Sequence, residues 1–186
     1  MVCTKSPLTG AFARSVCGAD FGAWLRFAGY DFIIVEGKAD KPVYIYLTSD
    51  NCQINDASEL WGKDTKETQE LLVQHHGENT RVACIGQAGE NLVKYAAIVT
   101  GRRTAGRCGT GTVMGSKNLK AIAINAQRNL QLYDPDMFKQ LVKEQIGLIQ
   151  ASKAYHHHAE MGTTDTHDIT NPLGIYPVRN FRYGQQ

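Results

Sequence analysis

The chain has 186 residues and a formal net charge of +2, with 42% hydrophobic and 20% charged residues. This composition is typical of a globular protein and excludes a disordered, collagen-like or supercharged chain. The sequence pI near 8.2 lies below the value of about 9 that nucleic-acid-binding domains usually exceed. No apolar stretch approaches the roughly 20 residues of a membrane-spanning helix, and the first residues lack the apolar segment of a signal peptide. We therefore expect a cytoplasmic protein that binds neither nucleic acid nor a membrane.

The first half of the chain predicts two helices and three strands. Apolar residues at helical spacing favour a short helix over residues 19–28, which ends before a glycine. β-branched and aromatic runs at residues 31–36, 43–48 and 52–55 predict strands, and the turn residues between the last two favour a hairpin. A capping box begins a second helix over residues 64–76.

The second half predicts further strands around a glycine-dense segment, followed by a long helix. Strands are expected at residues 81–85, 94–99 and 119–124, and the glycine-dense segment lies between the last two. The Asp134–Pro135 pair begins the clearest helix of the chain, with Asp as the N-cap and Pro at the first helical position. Residues 161–186 show little periodicity and predict irregular structure.

The order of these elements predicts the fold class. Strands that occur in runs, with helices interspersed, favour an α+β fold over strict alternation of strand and helix. We expect a β-rich domain over residues 1–126, incomplete at its start. Residues 127–186 are expected to form a linker and the beginning of a helical second domain, because the clearest predicted helix begins there.

The cysteines and histidines form no recognisable metal or catalytic pattern. Five cysteines without close pairs suit neither a disulfide framework nor a zinc or iron–sulfur site, so we expect reduced thiols that mostly fill small spaces in the core. Consecutive helical side chains point about 100° apart, so the three histidines at 156–158 cannot all face one ion, and we expect a solvated polar patch. Trp24 and Trp61 are expected to pack rather than to stack on a ligand. We assign no catalytic residue and no metal ligand to this chain.

The most informative segment is residues 101–118, which contain five of the 18 glycines, three arginines, one lysine and no acidic residue. Glycine lets the backbone approach a ligand closely, and arginine forms paired hydrogen bonds with phosphate oxygens. A helix that starts near Gly111 would add N–H donors for an anion. The spacing matches neither the dinucleotide-binding loop nor the P-loop. The segment therefore predicts a phosphate-bearing ligand, with a tight turn that carries solvated arginines as the alternative.

Several motifs spread along the chain carry a further signal. They are residues 5–10, 25–31, 35–46, 60–63, 85–93, 105–107, 113–123 and 171–181. In this order they resemble the N-terminal domain of the aldehyde ferredoxin oxidoreductase family and the stretch just beyond it. The most specific match joins Ala-Gly-Arg at 105–107 to Val-Met-Gly-Ser-Lys-Asn-Leu-Lys-Ala-Ile-Ala at 113–123. The resemblance covers nearly the whole chain.

This resemblance implies an enzyme with a tungsten or molybdenum bis-pterin (molybdopterin) cofactor that oxidises an aldehyde to a carboxylic acid. In that family the electrons pass through a [4Fe–4S] cluster to ferredoxin. The loop that would contact the pterin phosphates and rings matches Arg103, Thr104, Ala105, Gly106 and Arg107. A second contact region matches Gly18, whereas Val16 stands where the family commonly has asparagine. Cys108 stands where a small residue is usual, and we assign it no role.

The resemblance also implies that parts of such an enzyme lie outside this sequence. A further cofactor-contacting arginine would precede Met1, and the cluster cysteines and the acidic substrate pocket would follow Gln186. We therefore expect a fragment or subunit, inactive alone, whose partners are the remainder of the enzyme, ferredoxin and an aldehyde, and for which a homodimer is an option. Two alternatives stay open: a non-catalytic cofactor-binding or assembly module, and a truncated product without function.

Overall fold

The computed structural model describes residues 1–127 and 130–186. The chain forms two compact units, Met1–Leu130 and Gln131–Gln186. Among the described residues, the strands lie in the first unit together with four helices, and the second unit is helical. Within the described residues, no helix combines the length and the apolar character needed to cross a membrane.

Two short strands at the start of the chain form a small antiparallel sheet of their own. They are β1 (Val2–Lys5) and β2 (Phe12–Ser15), with Val2 opposite Ser15. The sequence does not predict these strands, because segments of four residues such as Phe-Ala-Arg-Ser lack the regular alternation that indicates a half-buried strand.

A six-stranded mixed sheet carries the core of the first unit. Its strands are β3 (Val43–Leu47), β4 (Cys52–Asp56), β5 (Thr80–Cys84), β6 (Ile98–Thr100), β7 (Arg103–Ala105) and β8 (Leu119–Asn125). The spatial order is β4-β3-β8-β5-β6-β7, with β3 and β8 parallel and all other pairs antiparallel. The hairpin of β3 and β4 and the α+β class are confirmed, whereas β7 is too short for the sequence to predict.

Helix α2 covers one face of this sheet. The helices of the first unit are α1 (Phe21–Phe27), α2 (Thr65–His76), α3 (Gln87–Glu90) and α4 (Thr110–Ser116). The predicted capping box begins α2, because the Asp64 carboxylate accepts the Glu67 N–H and the Glu67 carboxylate accepts the Asp64 N–H. Leu72 of α2 packs against Ala121 and Ala123 of β8, whose small side chains let the helix lie close to the sheet.

Helix α1 covers the opposite face. Trp24 of α1 lies in a buried cluster with Leu47 of β3 and Ile124 of β8. Its indole N–H donates to the carbonyl oxygen of Asn79 at 2.6 Å, which satisfies the one polar atom of a buried ring. The predicted packing role of Trp24 is confirmed, while Trp61 is only half-buried.

The predicted strand at residues 31–36 is wrong. In the described part of the chain these residues pair with no strand. Ile33 and Val35 pack against the core, whereas Phe32 and Ile34 are 71% and 72% exposed. The segment therefore has the alternation of a half-buried strand without a partner in the sheet.

The predicted strand at residues 94–99 is wrong over residues 94–97, since pairing begins only with Ile98 of β6. The preceding carbonyl groups are used by α4 instead. The Ala96 oxygen accepts the N–H of Gly111 at 2.9 Å, and the Val93 oxygen accepts the hydroxyl of Thr112. Because these backbone groups are already satisfied by a helix, they do not join a strand ladder.

Close backbone contact holds α4 against its neighbours. A Cβ atom on Gly115 would fall inside the van der Waals radius of the carbonyl oxygen of Gly89 in α3. A Cβ atom on Gly109, just before α4, would overlap the carbonyl oxygen of Lys94 in the same way. Only glycine permits so close an approach of two backbones.

A buried ion pair ties α3 to the sheet. Lys120 of β8 and Glu90 of α3 form this pair, with side chains 0% and 5% exposed. The Lys120 ammonium also donates to the carbonyl oxygen of Lys63 at 2.8 Å, and both Glu90 oxygens accept the N–H of Gly62. Removing either partner would leave an uncompensated buried charge, so the pair fixes the position of α3.

The expectation that the cysteines mostly fill the core is wrong. Cys84 is buried and Cys17 is half-buried, but Cys3, Cys52 and Cys108 are exposed, and all five are free thiols. Cys3 and Cys52 lie on the outer faces of edge strands, which their spacing in the sequence does not reveal. Burial raises the pKa of Cys84 to about 12, so this thiol stays protonated at neutral pH.

The second unit consists of short and medium helices. They are α5 (Pro135–Ala151), α6 (Lys153–Met161), a 3₁₀ helix (Gly162–Thr166) and α7 (His167–Thr170). As predicted, the Asp134 carboxylate caps α5, where it accepts the N–H of Met137 at 2.9 Å. None of the α5 side chains is buried. The prediction of irregular structure is wrong for residues 161–170, which are helical.

The first prediction concerns His76 at the end of α2. Its Nε2 lies 3.1 Å from the Tyr44 hydroxyl oxygen, and its ring stacks on Tyr46 with centroids 3.7 Å apart. Burial, together with the nearby His75, lowers the pKa of His76 below its ordinary value of 6.5. The unfolded chain therefore binds this proton more readily than the folded chain. The neutral ring of His76 therefore contributes to the free energy of unfolding above about pH 6.5, and this contribution is lost as the pH falls below that value.

We expect the free energy of unfolding, measured with urea, to fall between about pH 7.5 and pH 5. The fall should be smaller in His76→Gln, which has no titrating ring at this position. His156→Gln, an exposed histidine of the second unit, is the control and should keep the pH dependence of the parent. An unchanged pH dependence in His76→Gln would contradict the assignment.

The second prediction concerns the contact between α3 and α4. Gly115→Ala should lower the free energy of unfolding by about 1–3 kcal/mol or more, because the added methyl group forces two backbones apart. Gly22→Ala in α1 is the matched control, since a Cβ there meets no atom within 4 Å. That change should be neutral or stabilising by up to about 1 kcal/mol through helix propensity. Equal effects of the two substitutions on urea unfolding would argue against the close contact.

Candidate functional site

Most of the predicted cofactor-binding residues lie on β7 and on the turn that joins it to α4. Arg103 and Thr104 lie on β7, the edge strand of the main sheet, and Gly106 and Arg107 lie in the turn. All four are exposed, whereas Ala105 is 1% exposed and packs in the core. The buried alanine therefore anchors the end of β7 while its neighbours face solvent.

Hydrogen bonds fix this turn at both ends. The Thr110 hydroxyl donates to the Ala105 carbonyl oxygen at 3.1 Å, and the Arg107 N–H donates to the hydroxyl oxygen of Ser15 at 3.2 Å. Cys108 has a left-handed backbone with φ 68° and redirects the chain into α4. The backbone of the turn is therefore held in place although its arginine side chains are exposed.

The second predicted contact region, around Gly18, lies beside the turn. Ser15, which binds Arg107, is the last residue of β2 and stands three residues before Gly18. Cys17 packs against the cluster that contains Ala105. Gly18 is exposed, and a Cβ atom there would meet nothing within 4 Å. The structure therefore brings the two predicted regions together and leaves open space at Gly18.

Sequence reasoning misses the residue that joins the two regions. Ser15 is 3% exposed, and its contact with Arg107 spans 92 positions of the chain. A single serine inside a short strand gives no local signal of such a contact. Ser15 reaches the turn that carries Arg107 only because β1 pairs with β2 and because the chain passes this point between β7 and α4.

The charge around the turn is positive and unpaired. Residues 1–19 and 101–118 contain no Asp or Glu. In the part of the chain that the structure describes, no carboxylate lies within ion-pair distance of Arg103 or Arg107. Arginine forms strong charge-assisted hydrogen bonds with phosphate oxygens, so two unpaired arginines on a fixed backbone suit an anionic phosphate group.

Two features that were expected to bind an anion have another role. The N–H of Gly111, in the first turn of α4, donates to the carbonyl oxygen of Ala96, and Gly111 is buried. Gly109 and Gly115 face protein backbone rather than open space. The Gly111 N–H and the space around Gly109 and Gly115 are therefore taken up by packing within the protein, whereas Arg103 and Arg107 are exposed.

The histidines of the second unit contact an aspartate. His158 Nδ1 lies 2.7 Å from Asp165 Oδ2, and His157 Nε2 lies 3.8 Å from the same oxygen. Both rings remain mostly exposed, in keeping with the expected polar patch. Across residues 1–127 and 130–186, no three His, Cys, Asp or Glu side chains are arranged to hold a metal ion.

Comparison with known proteins places this chain in a family. Residues 1–126 match the family described as aldehyde ferredoxin oxidoreductase, N-terminal domain. The chain is 47% identical over 186 residues to a tungsten-containing aldehyde ferredoxin oxidoreductase of Pyrococcus furiosus, covering 98% of this chain and 31% of that protein. It is 46% identical to the enzyme of the same name from Pyrococcus horikoshii, covering 99% of this chain and 31% of that protein. The chain thus spans less than a third of the length of these curated relatives.

Two further relatives are named for other reactions. The chain is 37% identical over 158 residues to an aliphatic sulfonate oxidoreductase, WOR-like subunit, of Pyrococcus furiosus, covering 77% of this chain and 25% of that protein. A solved structure, the active-site complex BamBC of benzoyl coenzyme A reductase with 1,5-dienoyl-CoA, matches with a TM-score of 0.76 and 40% identity. That match covers 80% of this chain and 23% of the other. The same fold therefore occurs in proteins named for different substrates.

The family match extends over most of the chain, and the relatives named above align with nearly all of it. The solved relative has the same arrangement of strands and helices, which agrees with the α+β fold described above. The chain belongs to the aldehyde ferredoxin oxidoreductase family, and its residues 1–126 correspond to the N-terminal domain of those enzymes.

Proposed function

We propose that this chain is the part of an aldehyde:ferredoxin oxidoreductase-like enzyme that holds the phosphate end of a tungsten pterin cofactor. The observation that carries this proposal is the fixed turn on which Arg103 and Arg107 are exposed, with no carboxylate partner among the described residues. The relatives that align with this turn are named as tungsten-containing, which favours tungsten over molybdenum.

The residues around the turn fit such a group. Negatively charged phosphate oxygens would accept charge-assisted hydrogen bonds from Arg103 and Arg107. The open space at Gly18 would let a flat pterin ring approach the backbone. The remaining proposed contacts are Thr104, Ala105 and Gly106.

The chemistry that such a cofactor supplies when bound is the two-electron oxidation of an aldehyde to a carboxylic acid. The proposed task of this chain is to bind and orient the cofactor. Arg103 and Arg107 hold the phosphate end, and the hydrogen bonds to the Ser15 hydroxyl and to the Ala105 carbonyl oxygen fix the backbone that carries them. We propose no catalytic residue in this chain.

The rest of the reaction is proposed to depend on residues outside this sequence. The relatives are more than three times as long as the matched region. We propose that the ligands of a [4Fe–4S] cluster, the aldehyde pocket and the docking site for ferredoxin belong to the remainder of a longer protein or to a separate chain. We also propose that the protein is cytoplasmic and that it can form a homodimer.

A second candidate function is a cofactor-binding subunit of a multi-chain complex with another substrate. One relative is named as a subunit, and the solved relative is named as a complex. In this case the arginine-bearing turn would bind the same kind of cofactor, and a partner chain would select the substrate.

The third prediction tests the role of Arg107. In a chimaera in which this chain replaces the matching region of the Pyrococcus furiosus relative, Arg107→Ala should weaken cofactor binding at least about tenfold and so lower cofactor occupancy. The reason is that losing a charge-assisted hydrogen bond to phosphate removes about 1.5–3 kcal/mol of binding free energy. Tungsten per protein, measured by mass spectrometry, and pterin, measured by fluorescence, should fall together with aldehyde oxidation.

Arg102→Ala is the control for this experiment, since Arg102 is an exposed neighbour outside the proposed contacts. It should keep the tungsten and pterin content of the parent chimaera. Full cofactor content and activity in Arg107→Ala would refute the proposed role. A parent chimaera that carries tungsten and pterin but does not oxidise aldehydes would favour the second candidate.

A further inference from the structure

Strand β2 presents a face that the proposed contacts do not include. Ala13 and Ser15 are each 3% exposed, whereas Phe12 and Arg14 are exposed. This alternation is the pattern of a strand with one face on the core. In the register of the small sheet, Arg14 lies opposite the exposed Cys3. The Arg14 side chain therefore projects away from the core.

The turn that carries Arg107 runs directly beside Arg14. The Arg107 N–H donates to the Ser15 hydroxyl oxygen at 3.2 Å, and the Cys108 thiol lies 4.0 Å from the carbonyl oxygen of Arg14. Two consecutive residues of the turn thus contact two consecutive residues of β2. The backbones that carry Arg14 and Arg107 are therefore adjacent, although the two residues are far apart in the sequence.

Among the described residues, no acidic side chain pairs with Arg14. The first acidic residue of the chain is Asp20, and among the described residues no carboxylate lies within ion-pair distance of Arg14. Arg14, Arg103 and Arg107 are thus three unpaired guanidinium groups on adjoining segments. Clustered like charges repel one another and create a positive potential that attracts a polyvalent anion.

We propose that Arg14 is a third phosphate-binding residue of this site, acting with Arg103 and Arg107 on a ligand that carries more than one phosphate group. The inference rests on the proposed function and adds to it a residue on a different strand. Arg14 would bind from β2 and Arg107 from the turn, two segments whose backbones lie side by side because the Ser15 hydroxyl accepts the Arg107 N–H.

The experiment titrates the full chain with inorganic pyrophosphate at low ionic strength and measures the affinity by calorimetry. Arg14→Ala should weaken binding about tenfold, and Arg14→Lys should retain part of the affinity because it keeps the charge but loses the planar fork. Arg102→Ala should change the affinity by no more than about twofold, as an exposed charge outside the site. Arg14→Ala should also melt at the same temperature as the parent, because its exposed side chain has no partner to lose.

The outcomes separate this inference from the proposed function. If Arg107→Ala weakens pyrophosphate binding and Arg14→Ala does not, the inference is overturned and the proposed function stands. If the parent chain does not bind pyrophosphate, or if Arg107→Ala binds it unchanged, the proposed function fails as well. If the chain alone does not stay folded, the tungsten content of the same variants in the chimaera shows whether Arg14 and Arg107 contribute to cofactor binding.

Discussion

Helix α4 packs so closely on neighbouring backbone that no side chain fits at Gly115 or Gly109. The carbonyl oxygens of Gly89 and Lys94 occupy the space where a Cβ atom would stand. This contact fixes where α4 begins and therefore where the chain must go when it leaves β7. Because the buried Ala105 fixes the other end, the turn that carries Arg107 has few conformations available.

A restricted turn matters for binding because it lowers the entropy lost when a ligand is held. Three contacts restrict the turn. The buried pair of Lys120 and Glu90 holds α3, α3 holds α4 through Gly115, and Ser15 holds the amide of Arg107. These contacts fix the backbone of the turn, while the side chains of Arg103 and Arg107 remain exposed.

The sequence predicts those elements whose signals are local. The capping box at Asp64 and the N-cap at Asp134 depend on residues within one helical turn, and both begin helices as expected. Residues 94–97 do not form a strand, and α4 uses the carbonyl groups of Ala96 and of the preceding Val93, which no local pattern reports. The glycine-dense segment correctly indicates a special backbone, but Gly109 and Gly115 approach protein rather than the predicted ligand. The composition of residues 101–118 draws attention to the arginines and the family resemblance singles out Arg103 and Arg107, whereas the link of Arg107 to β2 requires the fold.

Phosphate-dependent binding of a pterin to this chain is tested most directly by comparing its affinity for neopterin monophosphate with its affinity for neopterin. The two compounds differ only in the group that the arginines are proposed to bind. The phosphorylated pterin should bind at least about tenfold more tightly, and this difference should disappear when Arg103 and Arg107 are both replaced by alanine. Equal affinities of the parent chain for the two pterins would contradict a phosphate-binding role for this turn.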